Sequence, residues 1–382
     1  MLGKYQYTTI ISLVLAVLST GCANPARHQA AAQHVGPGYL AQQHHVVSMM
    51  RESWMLAKDR VDVMLMSPSG SGVFPLIVYL PGLGESAESG AAWRRPWAEA
   101  GYAVLSVQTD AAASIRPSKE RGGESRDLAR EQFSPQMIDY RQSVLQKALA
   151  EVKRRKGGSA VSGFSQLDLE HIAIVGFDLG AQTAMFVAGE GIGAVAPMPL
   201  PESVKCVIAI SPYADFSGAG FEQRFKSVHL PVLSVTSMED TDQYGVVTSA
   251  AIRRAPFEYM PPGQKYLLSL FAAPHALLSG KETSEELGDG RNASRQAASG
   301  DSGRSGRRGA NRGSRSGESG GKAAATFSGR PSSGAWEQQL RYVQSVTLAY
   351  LDALVRSDPV AQKWLDQDAS RWMGEGASLT IK

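Results

Sequence analysis

The sequence predicts an α/β fold with a mostly parallel central sheet and helices on both of its faces. Short, almost wholly apolar runs recur along the chain, as expected for strands that are buried on both faces. Segments with helical periodicity separate these runs, and this alternation is typical of a parallel sheet. One apolar run leads through Gly-Phe-Asp-Leu-Gly at 176–180 into small residues, a pattern that indicates a strand, a sharp turn and a helix.

The predicted elements follow this alternation from one end of the chain to the other. Apolar runs predict strands at Phe74–Leu80, Tyr102–Val107, Leu167–Val175, Val204–Ile210, Val232–Thr236 and Lys265–Phe271, with weaker alternation over Arg60–Met66. Helical spacing predicts helices at Trp93–Ala100, Gln136–Lys156, Trp336–Val355 and Ala361–Leu365. The stretch 111–135 is polar and irregular, and we expect it to border the entrance to a site.

Composition places most of the chain in one domain and sets one segment apart. The chain has 382 residues, of which 43% are hydrophobic and 20% are charged, as in an ordinary globular protein. Residues 280–334 are mainly Gly, Ser, Arg and Ala, and we expect disorder there because they bury too little apolar surface to offset the ordering entropy. The segment is therefore predicted to be an insertion between the main part of the domain, 44–279, and its C-terminal helices, 335–382.

The basic residues of the insertion allow two interpretations. Arg291–Arg330 carries eight Arg and one Lys against two acids, although the whole chain has a net charge of only +3. The segment is either a solvated linker or a contact surface for anionic lipid or lipopolysaccharide. Phe327 is its only aromatic residue, so we expect no binding to nucleic acid.

The first residues resemble a bacterial lipoprotein signal. Lys4 precedes the apolar run Ile10–Leu18, which is too short to span a bilayer as a stable helix. The run continues into Leu-Ser-Thr-Gly-Cys, which ends at Cys22. The resemblance implies that residues 1–21 are removed and that Cys22 carries a lipid anchor in the cell envelope.

The same resemblance bears on localisation. Ala23 follows the cysteine at the position where an aspartate would favour retention in the inner membrane, so an outer-membrane anchor facing the periplasm is implied. Residues 22–43 are rich in Ala, Gln, Pro and Gly and are predicted to be a flexible tether. A plain secretory signal and an uncleaved anchor remain the alternatives.

No pattern in the chain predicts a cofactor, a metal or a disulfide. The four early histidines lack a fixed ligand spacing, and no dinucleotide fingerprint with its later acid is present; these histidines are His28, His34, His44 and His45. If Cys22 is lipidated, Cys206 has no partner, and it is predicted to be a small buried hydrophobic residue.

The turn after the strand that ends near residue 175 has the form of a nucleophile elbow. Gly176 and Gly180 flank Asp178, and such an elbow needs small residues because its backbone is strained and its strand and helix approach closely. The usual motif has serine at the apex, whereas this chain has Asp178. The alternative is an ordinary turn in which the aspartate caps the helix.

Two further polar residues follow predicted strands. Asp240 comes after Val232–Thr236, and His275 comes after Lys265–Phe271. Ligands of open α/β sheets bind at the carboxyl ends of the strands, so we expect both side chains at the edge that carries Asp178. Asp242 is a second candidate for the acid; a turn acid and a loop histidine are the alternative interpretations.

The order nucleophile, acid, histidine is that of the α/β-hydrolases. The stretch from about Val61 to Leu365 resembles bacterial members near platelet-activating-factor acetylhydrolases and cutinase-like or dienelactone-type esterases. The motifs that carry the resemblance are Pro-Gly-Leu-Gly-Glu-Ser at 81–86, Gly-Phe-Asp-Leu-Gly-Ala at 176–181, Ser-Met-Glu-Asp-Thr-Asp at 237–242 and Ala-Pro-His at 273–275.

The resemblance implies a role for each matching residue. Asp178 takes the position of the nucleophile, and Asp240 orients His275. The backbone N–H groups of Leu83 and Leu179 form the oxyanion hole. Haloalkane dehalogenases and epoxide hydrolases also have Asp at the elbow, but they usually show Trp after it and Pro in the oxyanion loop, where this chain has Leu179 and Gly84.

The chemistry of a carboxylate limits what such a site can do. Attack on an ester carbonyl would form an anhydride and expel an alkoxide, which is a worse leaving group than the carboxylate by roughly 10 pKa units. Attack on a saturated carbon would give an ester that His275 and water could hydrolyse. The sequence predicts an envelope-anchored hydrolase of a small-molecule substrate, of ester or alkyl type. Asp178 as a general base on water and an inactive binding protein are the alternatives.

Overall fold

A sheet of nine strands forms the centre of the fold. The computed structural model describes residues 38–114, 122–158, 163–192, 201–215, 220–280 and 333–382. These residues belong to one unit that extends from Gly36 to Lys382.

The strands, numbered along the chain, are β1 Val47–Leu56, β2 Asp59–Pro68, β3 Phe74–Leu80, β4 Ala103–Thr109, β5 Leu167–Phe177, β6 Val204–Ile210, β7 Val232–Ser237, β8 Lys265–Leu270 and β9 Ala377–Ile381. Their order in the sheet is β1-β2-β4-β3-β5-β6-β7-β8-β9. The six strands from β4 to β8 in this order pair in parallel, whereas β1, β2 and β9 add antiparallel strands at the two edges. The predicted α/β class is therefore confirmed, with a sheet that is mixed at its edges.

The helices, numbered likewise, are α1 Ala91–Glu99, α2 Asp110–Ala113, α3 Gly122–Gln132, α4 Pro135–Gly157, α5 Leu179–Val187, α6 Phe221–Phe225, α7 Ala255–Tyr259, α8 His275–Leu278, α9 Ser333–Val355, α10 Pro359–Gln367 and α11 Ala369–Met373. A 3₁₀ turn at Ala250–Arg254 precedes α7.

Two hydrophobic cores lie on the two faces of the sheet. Successive side chains of a strand point to opposite faces, so Ile77 and Tyr79 join one core while Leu76 and Val78 join the other. Side chains of α1, α9, α10 and α11 belong to the first core, and side chains of α4 and α5 to the second. The central strands are thus covered on both faces, which explains their nearly continuous apolar sequences.

Several elements differ from the sequence-based prediction. The edge strands β1 and β9 lack the clean apolar pattern of the central strands, and the C-terminal part of the domain, predicted to be helical, ends in β9. The polar stretch 111–135 contains α3, although it was predicted to be irregular. Only a narrow face of α3 is buried, so its sequence shows little apolar periodicity. An edge strand pairs on one side only. Both kinds of element therefore form because of tertiary contacts that local sequence patterns do not show.

The ordered domain begins earlier than residue 44. Tyr39 is 8% exposed, and its hydroxyl donates a hydrogen bond of 2.9 Å to Asp352. Tyr102 donates to the same carboxyl group at 2.7 Å, and Arg356 lies 2.8 Å from it. The last residues of the predicted tether, 38–43, therefore belong to the folded domain.

Other predictions fall on residues outside the described ranges. These are the signal at 1–21, the lipidation of Cys22, the remainder of the tether and the basic segment Arg291–Arg330. Within the described ranges, no helix combines the length and the apolar character needed to cross a bilayer. Cys206 is fully buried, as predicted.

We expect Tyr39→Phe to lower the free energy of unfolding by about 1–2 kcal/mol, because it removes a buried hydrogen bond to a carboxyl group. Urea denaturation measures this change. Leu40→Ala is the matched control, since Leu40 is 60% exposed and should change stability by less than about 0.5 kcal/mol. Unchanged stability of Tyr39→Phe would show that this segment does not support the domain.

Candidate active site

Asp178 occupies a strained turn between β5 and α5. Its backbone has φ 50° and ψ −107°, a conformation that non-glycine residues rarely adopt and that costs on the order of 1–3 kcal/mol. The side chain makes no capping hydrogen bond to the helix, so the interpretation as an ordinary helix cap is not supported. The local geometry is that of an elbow that holds one carboxylate at its apex.

Close backbone contacts on both sides of Asp178 explain the two glycines. A Cβ atom on Gly176 would overlap the backbone of Gly180. A Cβ atom on Gly180 would overlap the backbone of Leu80 at the end of β3. Neither backbone can move aside as a flexible side chain could, and every residue of α5 is buried. The elbow can therefore form only with glycine at these positions.

The structure places Asp240 and His275 together at the carboxyl ends of β7 and β8. The imidazole Nδ1 lies 2.7 Å from Asp240 Oδ1. Asp240 also accepts hydrogen bonds from Ser211 Oγ at 3.0 Å and from Thr236 Oγ1 at 2.8 Å. The ring of His275 packs against that of Phe177, with centroids 4.8 Å apart. The carboxylate and the ring are thus held in a fixed orientation.

Asp242 has a different role from Asp240. Its carboxylate accepts hydrogen bonds from the backbone N–H groups of Tyr244, Val246 and Val247. These bonds shape the loop in which Asp242 lies. Of the two candidate acids, Asp240 is the one that contacts the histidine.

The two carboxylate oxygens of Asp178 have different surroundings. Oδ2 accepts a hydrogen bond of 3.4 Å from the backbone N–H of Leu83. Oδ1 lies 3.9 Å from His275 Nε2, a gap that a small movement would close. Leu179 is the first residue of α5, where a backbone N–H has no acceptor within the helix. Of the residues predicted from the sequence, Leu83 and His275 therefore lie next to the carboxylate of Asp178, and Asp240 contacts His275.

Arg253 is a component of the site that the sequence did not reveal. Its side chain is fully buried, and Nε donates to the backbone oxygen of Asp240 at 2.9 Å and lies 3.2 Å from the carboxylate Oδ1 of that residue. Nη1 donates to the carbonyl of Ser211 at 2.6 Å. Nη2 lies 3.9 Å from Asp178 Oδ1. An arginine in a short polar segment is usually solvated, so no motif could have identified it.

Burial and neighbouring charges shift the pKa values of Asp178, Asp240 and His275 in opposite directions. Burial raises the pKa of Asp178, although His275 and Arg253 lower it in part. Burial would raise the pKa of Asp240 too, but the charge of Arg253 and the hydrogen bond from His275 bring it below its usual value. For His275 burial would lower the pKa, yet the hydrogen bond to Asp240 contributes to a net increase.

A small apolar cluster, separate from the two cores, borders the site. It contains the side chains of Leu83 and Leu179 together with Ala112, Ala129, Phe133, Tyr213, Tyr244 and Val247. The rings of Phe133 and Tyr213 stack with centroids 4.4 Å apart. The predicted border of the site at 111–135 thus contributes apolar side chains from α2 and from the end of α3. Apolar side chains therefore lie next to the residues that flank the carboxylate of Asp178.

Comparison with known proteins gives no assignment: no protein-family model matches the chain, and no curated protein matches it significantly. Among the described residues, no group of three or more His, Cys, Asp or Glu side chains is arranged to hold a metal ion. The chemistry of the site is therefore inferred from the positions of its side chains.

We expect Gly180→Ala to destabilise the fold by about 3 kcal/mol, because the added methyl group would overlap the backbone of β3. Denaturant unfolding of the purified variant measures the change. Gly191→Ala is the control, since no atom lies within 4 Å of its added methyl group, and a change below about 0.5 kcal/mol is expected. A Gly180→Ala variant as stable as the control would contradict the close approach described above.

We expect Asp240→Asn to lower the pKa of His275, because the carboxylate that favours the imidazolium is lost. Nitrogen NMR of the labelled imidazole, followed through a pH titration, measures the midpoint. Asp242→Asn is the control and should leave that midpoint close to the wild-type value, because Asp242 bonds to its own loop. The assignment of the acid fails if Asp242→Asn lowers the midpoint and Asp240→Asn does not.

Proposed function

We propose that this chain has the α/β-hydrolase fold and hydrolyses a small molecule that carries a leaving group on a saturated carbon, with Asp178 as the nucleophile. The observation that carries the proposal is the separation of the two oxygens of Asp178. Oδ2 is held by the N–H of Leu83, and Oδ1 faces the catalytic base, His275. A carboxylate that first becomes an ester and is then hydrolysed needs one oxygen free to attack and the other held by a hydrogen-bond donor.

In the first half of the reaction Oδ1 attacks the saturated carbon. A new carbon–oxygen bond forms, and the leaving group departs with the electron pair of its former bond to that carbon. Asp178 becomes an alkyl ester whose carbonyl oxygen is Oδ2, still next to the amide of Leu83. Because a carboxylate needs no deprotonation at neutral pH unless burial prevents ionisation, no base is needed in this half.

In the second half His275 Nε2 takes a proton from water, and the resulting hydroxide attacks Cγ of the ester. Negative charge develops on Oδ2, where the amides of Leu83 and Leu179 stabilise it. Collapse of this intermediate expels the product alkoxide, which takes the proton from His275. Asp240 stabilises the transient imidazolium. Asp178 is left as a carboxylic acid with one oxygen atom that came from water, and it returns to the carboxylate when its proton passes to solvent.

Hydrolysis of an ordinary ester by attack on its carbonyl does not fit the same nucleophile. The intermediate would expel the carboxylate rather than the alkoxide, a preference of roughly 10 pKa units at about 1.36 kcal/mol each. Of the predicted substrate types, the alkyl type is therefore the one that we retain. The apolar cluster beside the oxyanion hole supports an apolar alkyl group.

The topology of the site supports the assignment to the fold family. Asp178, Asp240 and His275 follow β5, β7 and β8 in that order, which is the order of the family, and all three side chains lie at one edge of the sheet. A protein of this fold without catalysis is the alternative. It is favoured by the near-complete burial of Asp178, which is 3% exposed.

The proposed location is the cell envelope, with the chain anchored through Cys22 in the outer membrane and facing the periplasm. Leu-Ser-Thr-Gly-Cys at the end of the apolar run supports this proposal. In such a location Arg291–Arg330 would lie close to anionic lipid.

Single turnover in heavy-oxygen water is expected to place one labelled oxygen in the carboxylate of residue 178, because water attacks Cγ of the ester. Short 1-haloalkanes are suitable probes, because a halide leaves without a proton. His275→Gln is expected to accumulate the alkyl ester, since the base that activates water is missing. Mass spectrometry of the peptide that contains Asp178 detects both the label and the added alkyl mass.

Asp178→Asn is expected to lose at least about 10³-fold in turnover, as seen when a nucleophile is removed. Glu239→Gln is the matched control, because Glu239 is an exposed neighbour of Asp240 and contributes nothing to the proposed chemistry. Turnover that survives Asp178→Asn, or label that appears only in the product, would rule out the covalent route.

A further inference from the structure

We propose that Arg253 is a positioning residue whose charge favours the ionised form of Asp178 and the neutral form of His275 at the same time. The inference rests on the proposed function, because both charge states matter only if Asp178 attacks and His275 accepts a proton. It assigns a role to a side chain that none of the steps described above uses.

Arg253 is held rigidly between the three catalytic side chains. Two of its nitrogens are committed to oxygens of Asp240, Ser211 and Pro212, through contacts of 2.6–3.3 Å. The third nitrogen, Nη2, lies 3.5 Å from His275 Nδ1 and 3.9 Å from Asp178 Oδ1. Since the side chain is fully buried, water does not screen its charge from these neighbours.

The hydrogen bond of the histidine determines what Nη2 can do. An ionised carboxylate only accepts, so the 2.7 Å contact with Asp240 requires a proton on Nδ1 of His275. A protonated Nδ1 cannot accept a hydrogen bond from Arg253. Nη2 therefore directs its positive charge at Asp178 Oδ1, the oxygen that attacks, instead of forming a bond with the imidazole.

A single cation at this position favours both charge states that the reaction needs. It stabilises the carboxylate of Asp178 against the effect of burial, and it disfavours a second positive charge on His275. Without it, a proton would be retained on the imidazole, which would then form an ion pair with Asp178. That ion pair would remove the base and weaken the nucleophile together.

Other charged groups near the site do not replace Arg253. Asp242, on the loop after β7, raises the pKa of Asp178. Arg141, on α4, is a buried cation that Asp178 also influences, but its guanidinium donates to Thr183 Oγ1 at 2.8 Å and to Gln182 Oε1 at 2.6 Å. Within the described residues, Arg253 is the only arginine or lysine that lies within 4.0 Å of the Asp178 carboxylate as an ion-pair partner.

The test compares Arg253→Gln, which removes the charge but keeps an N–H donor, with Arg253→Lys, which keeps the charge. Arg254→Met is the matched control, because Arg254 belongs to the same 3₁₀ turn, is exposed and pairs with Glu258. Two quantities are measured: the pH dependence of the rate at which the alkyl ester on residue 178 is hydrolysed, and the titration midpoint of His275 by nitrogen NMR. The signal of His275 is assigned by its absence from the spectrum of His275→Gln.

For Arg253→Gln we expect the acid limb of the kinetic profile and the NMR midpoint to move together, by about one unit toward higher pH. At pH values below this limb, the shift corresponds to a loss of about tenfold in the rate of ester hydrolysis. Arg253→Lys is expected to stay within about 0.3 units of the wild type, because the charge remains in place. Arg254→Met should match the wild type in both measurements.

The two measurements separate this inference from the proposed function. A folded Arg253→Gln variant with an unmoved NMR midpoint overturns the inference, whatever the wild type hydrolyses. A moved midpoint in a protein that turns over none of the probes supports the inference while the proposed function fails. If Arg253→Gln does not fold, Arg253→Met, which also removes the charge, decides: a raised midpoint supports the inference, and an unmoved midpoint overturns it.

Discussion

The site depends on the close approach of α5 to the carboxyl ends of β3 and β5. The backbone atoms of Gly180 and Leu80 lie so close together that a side chain on residue 180 would keep them apart. This contact turns the chain sharply enough to give Asp178 a positive φ and to place its carboxylate beside the amide of Leu83. The strain is tolerated because α5 is buried along its whole length between the sheet and its neighbours.

Charge balance is the second constraint on this site. Two carboxylates, Asp178 and Asp240, lie out of contact with water, and burial alone would favour their neutral forms. Arg253 and His275 provide the opposing charge and hydrogen bonds. Because each of these groups alters the others, the protonation state of the site belongs to the cluster and not to any one residue.

Patterns along the sequence were sufficient to predict much of the fold and part of the site. The strand at Phe74–Leu80 has the predicted bounds, because a strand covered on both faces must be apolar throughout. Asp178, Asp240 and His275 could be predicted to meet because each follows a parallel strand, and such strands end at one edge. The sequence of β9 shows no comparable apolar run, because an edge strand forms through its pairing with a neighbouring strand.

The sequence by itself determined the α/β class, the glycines that the elbow requires and the kinds of side chain at the edge of the sheet, because these depend on local periodicity and backbone sterics. Tertiary structure alone decided that Asp240 rather than Asp242 contacts the histidine and that Arg253 is buried among the carboxylates. It also decided that Tyr39 belongs to the domain. These outcomes depend on contacts between residues far apart in the chain, and local spacing carries no information about them.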